Sequence, residues 1–151
     1  MRPRFRHALA CALLVFAGTS LAQTAEPGYQ PRSGDAWLDR HLADINLYAA
    51  RYPQSFGDEM ARYYAIPRGY VEAVLSHPSW QAGDIFMACA VALAVDLPCR
   101  EVVREWSRDH GDGWKGVAQR LQSQPADVPL ARRLRKNVEA SYARWARPLQ
   151  E

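Results

Sequence analysis

Apolar positions along this chain recur at helical spacing. Leu38, Leu42, Ile45 and Ala49 form one stripe, Val71, Val74 and Leu75 a second, Cys99, Val102, Val103 and Trp106 a third, and Leu130, Leu134, Val138 and Tyr142 a fourth. Steps of three and four residues place each set on one face of a helix. The run Ile85 to Val95 departs from this pattern, because it holds no polar side chain and stands between Asp84 and Asp96. It is too short for a bilayer span, which takes about 20 residues, and its alanines, Met87 and Leu93 favour helix over strand. A helix that is apolar all round is one surrounded by others.

Turn and cap signals set the expected boundaries. Ser33 or Asp35 caps a first helix that Pro53 ends, and Ser55, with Asp58 three positions on, opens a second through Phe56, Met60, Tyr63 and Tyr64. Pro67 begins a third, stopped at His77-Pro78. Asp84 caps the central helix, Pro98 starts the next, Asp112 caps another that carries Trp114, Val117 and Leu121, and Asp127 and Pro129 begin the last, which Pro148 closes. No stretch has the alternation and β-branched content of a strand. The expected fold is all-α, a compact orthogonal bundle of about seven mostly short helices packed around 85–95.

The first residues change the domain picture. Arg2, Arg4 and Arg6 precede an apolar core from Ala8 to Ala17, and Ser20-Leu21-Ala22 presents small residues for a signal peptidase. Residues 1–22 are expected to be a signal peptide cleaved between Ala22 and Gln23, which makes the mature chain periplasmic or secreted. Residues 23–32, with Pro27, Gly28 and Pro31, read as a flexible leader, and residues 33–148 as one domain. No transmembrane segment is expected after cleavage.

Cleavage also removes most of the basic character. Of 19 Lys and Arg, three lie in the signal, leaving 16 against 16 Asp and Glu. A chain without surplus positive charge lacks the general attraction that nucleic acid binding needs. The helix-turn-helix layout of residues 60–75 does not restore it, because Arg68 is followed by Gly69, Tyr70 and Glu72 where a DNA reader needs basic and amide side chains. No nucleic acid partner is expected.

Cys89 and Cys99 survive processing, and an oxidising compartment admits their pairing. With Cys89 in mid-helix and Cys99 opening the next helix, the expected Cα separation exceeds the limit of about 7 Å for a bridge. Two unbridged core residues are the favoured outcome.

Catalytic and metal signals are sparse. There is no Cys-x-x-Cys and no histidine pair at helical spacing, and Asp109, His110 and Asp112 lack the ligand alternation of a calcium loop. No metal, cofactor or catalytic residue is expected. Asp58 and Glu59 as acids, with His77 or His110 as base, are the side chains that a small cell-envelope hydrolase acting on peptidoglycan or peptides would use. Aromatic and basic residues are more prominent. Trp37, Tyr52, Tyr63, Tyr64, Tyr70 and Trp80 crowd the N-terminal half, and Arg132, Arg133, Arg135 and Lys136 make the last helix basic. Exposed aromatics and a basic helix suit recognition of a partner protein or an envelope polymer. A non-catalytic binding module is therefore the leading expectation, with the hydrolase as the alternative.

The strings Gly83-Asp-Ile-Phe-Met-Ala-Cys-Ala-Val-Ala-Leu and Gly113-Trp-Lys-Gly-Val-Ala-Gln-Arg-Leu, behind a signal peptide, resemble a class of small exported bacterial all-helical proteins of uncharacterised function. The resemblance spans residues 35–125 and implies the compartment and the helical fold, with no activity and no catalytic residue.

Overall fold

A computed structural model describes residues 28–122 and 129–149. The expected signal peptide, the leader up to residue 27, and Asp127 as the start of the last helix lie outside them. The elements are α1 (Ala36–Arg51), α2 (Pro53–Tyr63), α3 (Arg68–Leu75), α4 (Ala82–Val95), α5 (Cys99–Arg108), α6 (Gly113–Leu121) and α7 (Leu130–Arg144). No strand occurs among the described residues, so the fold is all-α.

The apolar run is the hub. All residues of α4 except Leu93 and Val95 are buried, and the helix packs on α1, α5 and α7 while also touching α3 and α6. Small side chains let the neighbours approach. A Cβ on Gly83 would lie 2.5 Å from the Leu42 carbonyl oxygen of α1, and the Gly83 N–H donates to Asn46 Oδ1 at 2.6 Å.

Several helix ends differ from expectation. Asp84 is the third residue of α4, not its cap; Gln81 is the cap, and its N–H donates to Asp84 Oδ2 at 3.3 Å in a reciprocal capping box. The helix begins earlier because Ala82 and Gly83 are as buried as the run that follows. Helix α2 starts at Pro53, with no side-chain cap from Ser55, since proline's fixed φ suits a first turn and costs no helical N–H there.

The start of α6 is capped from a distance. Asp112 makes no side-chain cap; instead the N–H groups of Trp114 and Lys115 donate to the carbonyls of Pro31 and Arg32 at 2.9 and 3.0 Å. Tyr29 donates to Asp84 Oδ1 at 2.8 Å. Residues 29–32, expected as flexible leader, are thus a strap across α4 and α6, held because they satisfy helix donors that would otherwise have no partner.

Cys89 and Cys99 form a disulfide with Cα atoms 4.5 Å apart, which overturns the expected separation. Asp96 takes the left-handed conformation at φ 57° immediately after α4, and Leu97 N–H donates back to Ala92 O at 2.9 Å. This αL closure reverses the chain within three residues and sets the start of α5 beside the last turns of α4.

Candidate functional site

Tyr48 and Tyr52, four residues apart, lie together at the end of α1, and Ser55, Asp58, Glu59, Arg62 and Tyr63 share one side of α2. The C-terminal end of α7 brings Arg144, Trp145 and Arg147 against them. Between these elements run two hollows of about 340 and 410 Å³ that share Tyr48, Ser55 and Trp145. Together they form one open groove, with the exposed Tyr63 lining one hollow and the exposed Tyr52 the other.

The groove is built on ion pairs that are themselves anchored in the core. Glu59 is buried and accepts from Arg144 Nε at 3.0 Å and from the Ser141 hydroxyl at 2.7 Å. The Arg144 guanidinium lies over the Tyr63 ring, 3.8 Å from its centre. On α1, Asp44 accepts from Tyr142 at 2.5 Å and from Arg147 Nε at 2.8 Å, and Arg147 reaches over Tyr48 at 5.8 Å. The Tyr48 and Trp145 rings stack at 4.2 Å. Each arginine is therefore held in plane by a carboxylate while it braces a tyrosine.

These contacts fix charge states. Burial alone would raise Asp44, but hydrogen bonds from Arg147 and Tyr142 outweigh it and hold the carboxyl below its usual range. Burial, with Asp44 beside it, pushes the Tyr142 hydroxyl upward, and burial does the same to Tyr64. Asp58 pairs with Arg68 at 3.0 Å, so the acids of the groove are matched by guanidinium groups. Arg62, which makes no ion pair among the described residues, adds one positive charge. The buried indole N–H of Trp145 has no acceptor among the described residues. The result is a wall of fixed donors, acceptors and aromatic rings, suited to holding a ligand in place.

Of the aromatic and basic residues singled out in the sequence for binding, Tyr52 and Tyr63 line this groove and the others do not. Tyr64 belongs to the core, 4% exposed and bonded to Ser141 at 3.0 Å, because it follows α2 on the side facing α4 and α7. Trp37 stacks on His41 at 3.7 Å beneath Arg135. Arg135 is bound bidentately to Asp35, the residue that caps α1. Tyr70 lies under Arg100 at 4.8 Å, and Trp80 is buried against Trp106. Arg133 donates to the Ala94 carbonyl at the end of α4, whereas Arg132 and Lys136 are exposed.

The side chains of the hydrolase alternative separate. Asp58 and Glu59 line the groove, while His77 and His110 line a different cavity, so these four offer no acid and base within reach of one substrate atom. Asp109, a candidate ligand, accepts from the Gly111 N–H at 3.2 Å and pairs with Arg120. No group of three or more metal-binding side chains comes together among the described residues.

Tyr48, Trp145, Arg144 and Arg147 were missed as site residues. The spacing of Tyr48 to Tyr52 and of Arg144 to Arg147 was visible, but only the packing of α7 against α1 and α2 joins them. No family model, characterised protein or solved structure matches this chain.

Proposed function

We propose that this chain is an exported, non-catalytic binding module that holds a neutral envelope polysaccharide strand in the groove between α1, α2 and α7. The observation that carries this is the groove itself: an exposed tyrosine in each hollow, a stacked Tyr48–Trp145 pair that both hollows share, and Arg144 and Arg147 already matched to carboxylates. Aromatic faces suit the apolar faces of sugar rings, and oriented guanidinium, carboxylate and hydroxyl groups suit sugar hydroxyls. Matched charge gives little attraction to a polyanion. An open, elongated groove fits a strand better than a compact molecule.

Export is supported by the basic, apolar and small-residue succession of residues 1–22. The Cys89–Cys99 bridge supports it too, since disulfides persist in oxidising compartments.

Isothermal titration with soluble glycan strands, and separately with a proline-rich peptide, tests the proposal. Binding of the strand is expected, with loss of about tenfold or more in affinity on Tyr52→Ala plus Tyr63→Ala while the thermal midpoint is kept. No binding, binding indifferent to both tyrosines, or preference for the peptide would overturn it.

A further inference from the structure

A second cavity, of about 400 Å³, lies between α3, α5 and the connection from α3 to α4, and shares no lining residue with the groove. Its walls are Val74, Trp80, Val103 and Trp106. Each indole is held by a neighbouring ring. Trp106 stacks on Trp114 at 4.0 Å, whose N–H is anchored on the buried Asp84 at 2.9 Å, and Trp80 tilts against Trp106 at 6.3 Å. The apolar part is therefore preformed.

The polar edge is distinctive in its charge. Among the described residues, His77 and His110 are the titratable side chains that line the cavity, and no carboxylate or guanidinium lines it. His110 Nδ1 is hydrogen-bonded to the Trp106 carbonyl at 2.8 Å, and because a carbonyl only accepts, Nδ1 is the donor and Nε2 is left to meet a ligand. The ring stacks on Trp106 at 4.9 Å, within the wall it edges. His77 Nδ1 is hydrogen-bonded to Ser79 Oγ at 2.8 Å.

Other charges near the imidazoles are engaged elsewhere. Arg32 donates to the His110 carbonyl at 3.4 Å, Asp109 is paired with Arg120, and Asp84, which interacts electrostatically with His110, is buried beneath Trp114 and bonded to it and to Tyr29. On the side of α3 and its connection, Ser79 is the polar neighbour bonded to His77.

The geometry points to a site for a small carboxylic acid with an aromatic or branched apolar body, the body against Trp80 and Trp106 and the carboxylate at His77 and His110. Two imidazoles at a cavity edge with no carboxylate among its described lining residues favour an anionic head, and a charged imidazole does so more, because a charged donor strengthens each hydrogen bond. An apolar body of this kind fits a preformed pocket with few polar groups.

The test uses 3-phenylpropanoate and its neutral amide as probes, titrated into the purified protein at pH 5.5 and pH 8.0 and followed by tryptophan fluorescence and by NMR of the indole N–H groups. The acid is expected to bind about tenfold more tightly at pH 5.5, and the amide equally at both pH values. His77→Gln and His110→Gln should each reduce the acid's pH ratio, and Ala73→Trp, at an exposed position on the cavity edge, should block both probes without unfolding the chain. Equal binding of acid and amide at both pH values would overturn acid recognition, and binding of neither would overturn the site. Tyr52→Ala plus Tyr63→Ala should leave all of these results unchanged, which separates this inference from the polysaccharide groove.

Discussion

The indole of Trp114 donates to the carboxylate of Asp84 at 2.9 Å across 30 residues of sequence, and Tyr29 donates to the same oxygen at 2.8 Å. One buried acceptor therefore holds α6 and the strap before α1 onto the central helix. Asp84→Ala leaves the buried Trp114 indole, the half-buried Tyr29 hydroxyl and the Gln81 N–H without their acceptor, a loss of about 2–4 kcal/mol. Tyr29→Phe removes one bond and should cost about 1 kcal/mol. The specific readout is hydrogen exchange at the Trp114 and Lys115 amides, which bond to Pro31 and Arg32. They should lose protection ahead of α4 in Asp84→Ala. Protection unchanged relative to α4 would mean that the strap holds without this carboxylate.

Two glycines in helices should respond in opposite directions to alanine. At Gly83 a Cβ would meet the Leu42 carbonyl oxygen at 2.5 Å and the Tyr29 hydroxyl at 2.9 Å, and the carbonyl belongs to backbone that cannot swing aside. Gly83→Ala should destabilise by about 2–4 kcal/mol as α1 and α4 are pushed apart. At Gly69 nothing lies within 4 Å, so Gly69→Ala should stabilise by up to about 1 kcal/mol through the lower entropy of the unfolded chain. Urea midpoints of the two variants decide the matter, and a shared sign would contradict the packing described for α4.

Acid sensitivity should come from the matched carboxylates. Asp44 and Asp35 sit below their usual range despite the opposing effect of burial, through bonds from Arg147 and Tyr142 in one case and from Arg135 in the other. Glu105 is lowered by its hydrogen bond from Arg120 and then by Arg108. A group lowered in the folded state contributes stability above its unfolded pKa, near 4, and that contribution is lost as pH falls through the folded value. Asp84 works in the opposite sense, since burial raises it and its protonation eases folding as pH falls. With three lowered groups against one raised, stability should drop below about pH 4. Asp44→Asn should be less stable than wild type by about 2–3 kcal/mol at pH 7, with the gap closing toward pH 2. A gap of constant size across that range would remove Asp44 from the explanation.

The hub was legible because an unbroken apolar run can be stable only when surrounded, and the stripes ending at Trp106 and Leu121 faced the right way to surround it. What escaped was set by contacts between distant segments. Pro27, Gly28 and Pro31 read as flexible by composition, yet the chain at Tyr29 to Arg32 is held by a carboxylate 55 residues from Tyr29. Exposure was equally hidden for Tyr63 and Tyr64, neighbours in sequence of which one is 49% exposed and the other 4%. The groove escaped for the same reason, since Arg144 reaches Glu59 over 85 residues.

The disulfide gives the last expectation, since it joins α4 and α5 across a turn tighter than the sequence spacing suggests. Closing a loop of 10 residues restricts the unfolded chain by an amount that chain-entropy arithmetic places at about 2–3 kcal/mol. Cys89 is fully buried and Cys99 nearly so, so a mild reductant should leave the native bond intact, and thiol labelling should appear only with denaturant present. Cys89→Ala plus Cys99→Ala should fold with a urea midpoint lowered by the equivalent of about 2–3 kcal/mol. Its α4–α5 turn should survive, because the left-handed Asp96 and the bond from Leu97 to Ala92 do not depend on sulfur. Amide exchange at Leu97 tests that second part. If the Leu97 amide exchanges at the rate of an open loop in the double variant, the bridge, and not the αL closure, is what turns the chain.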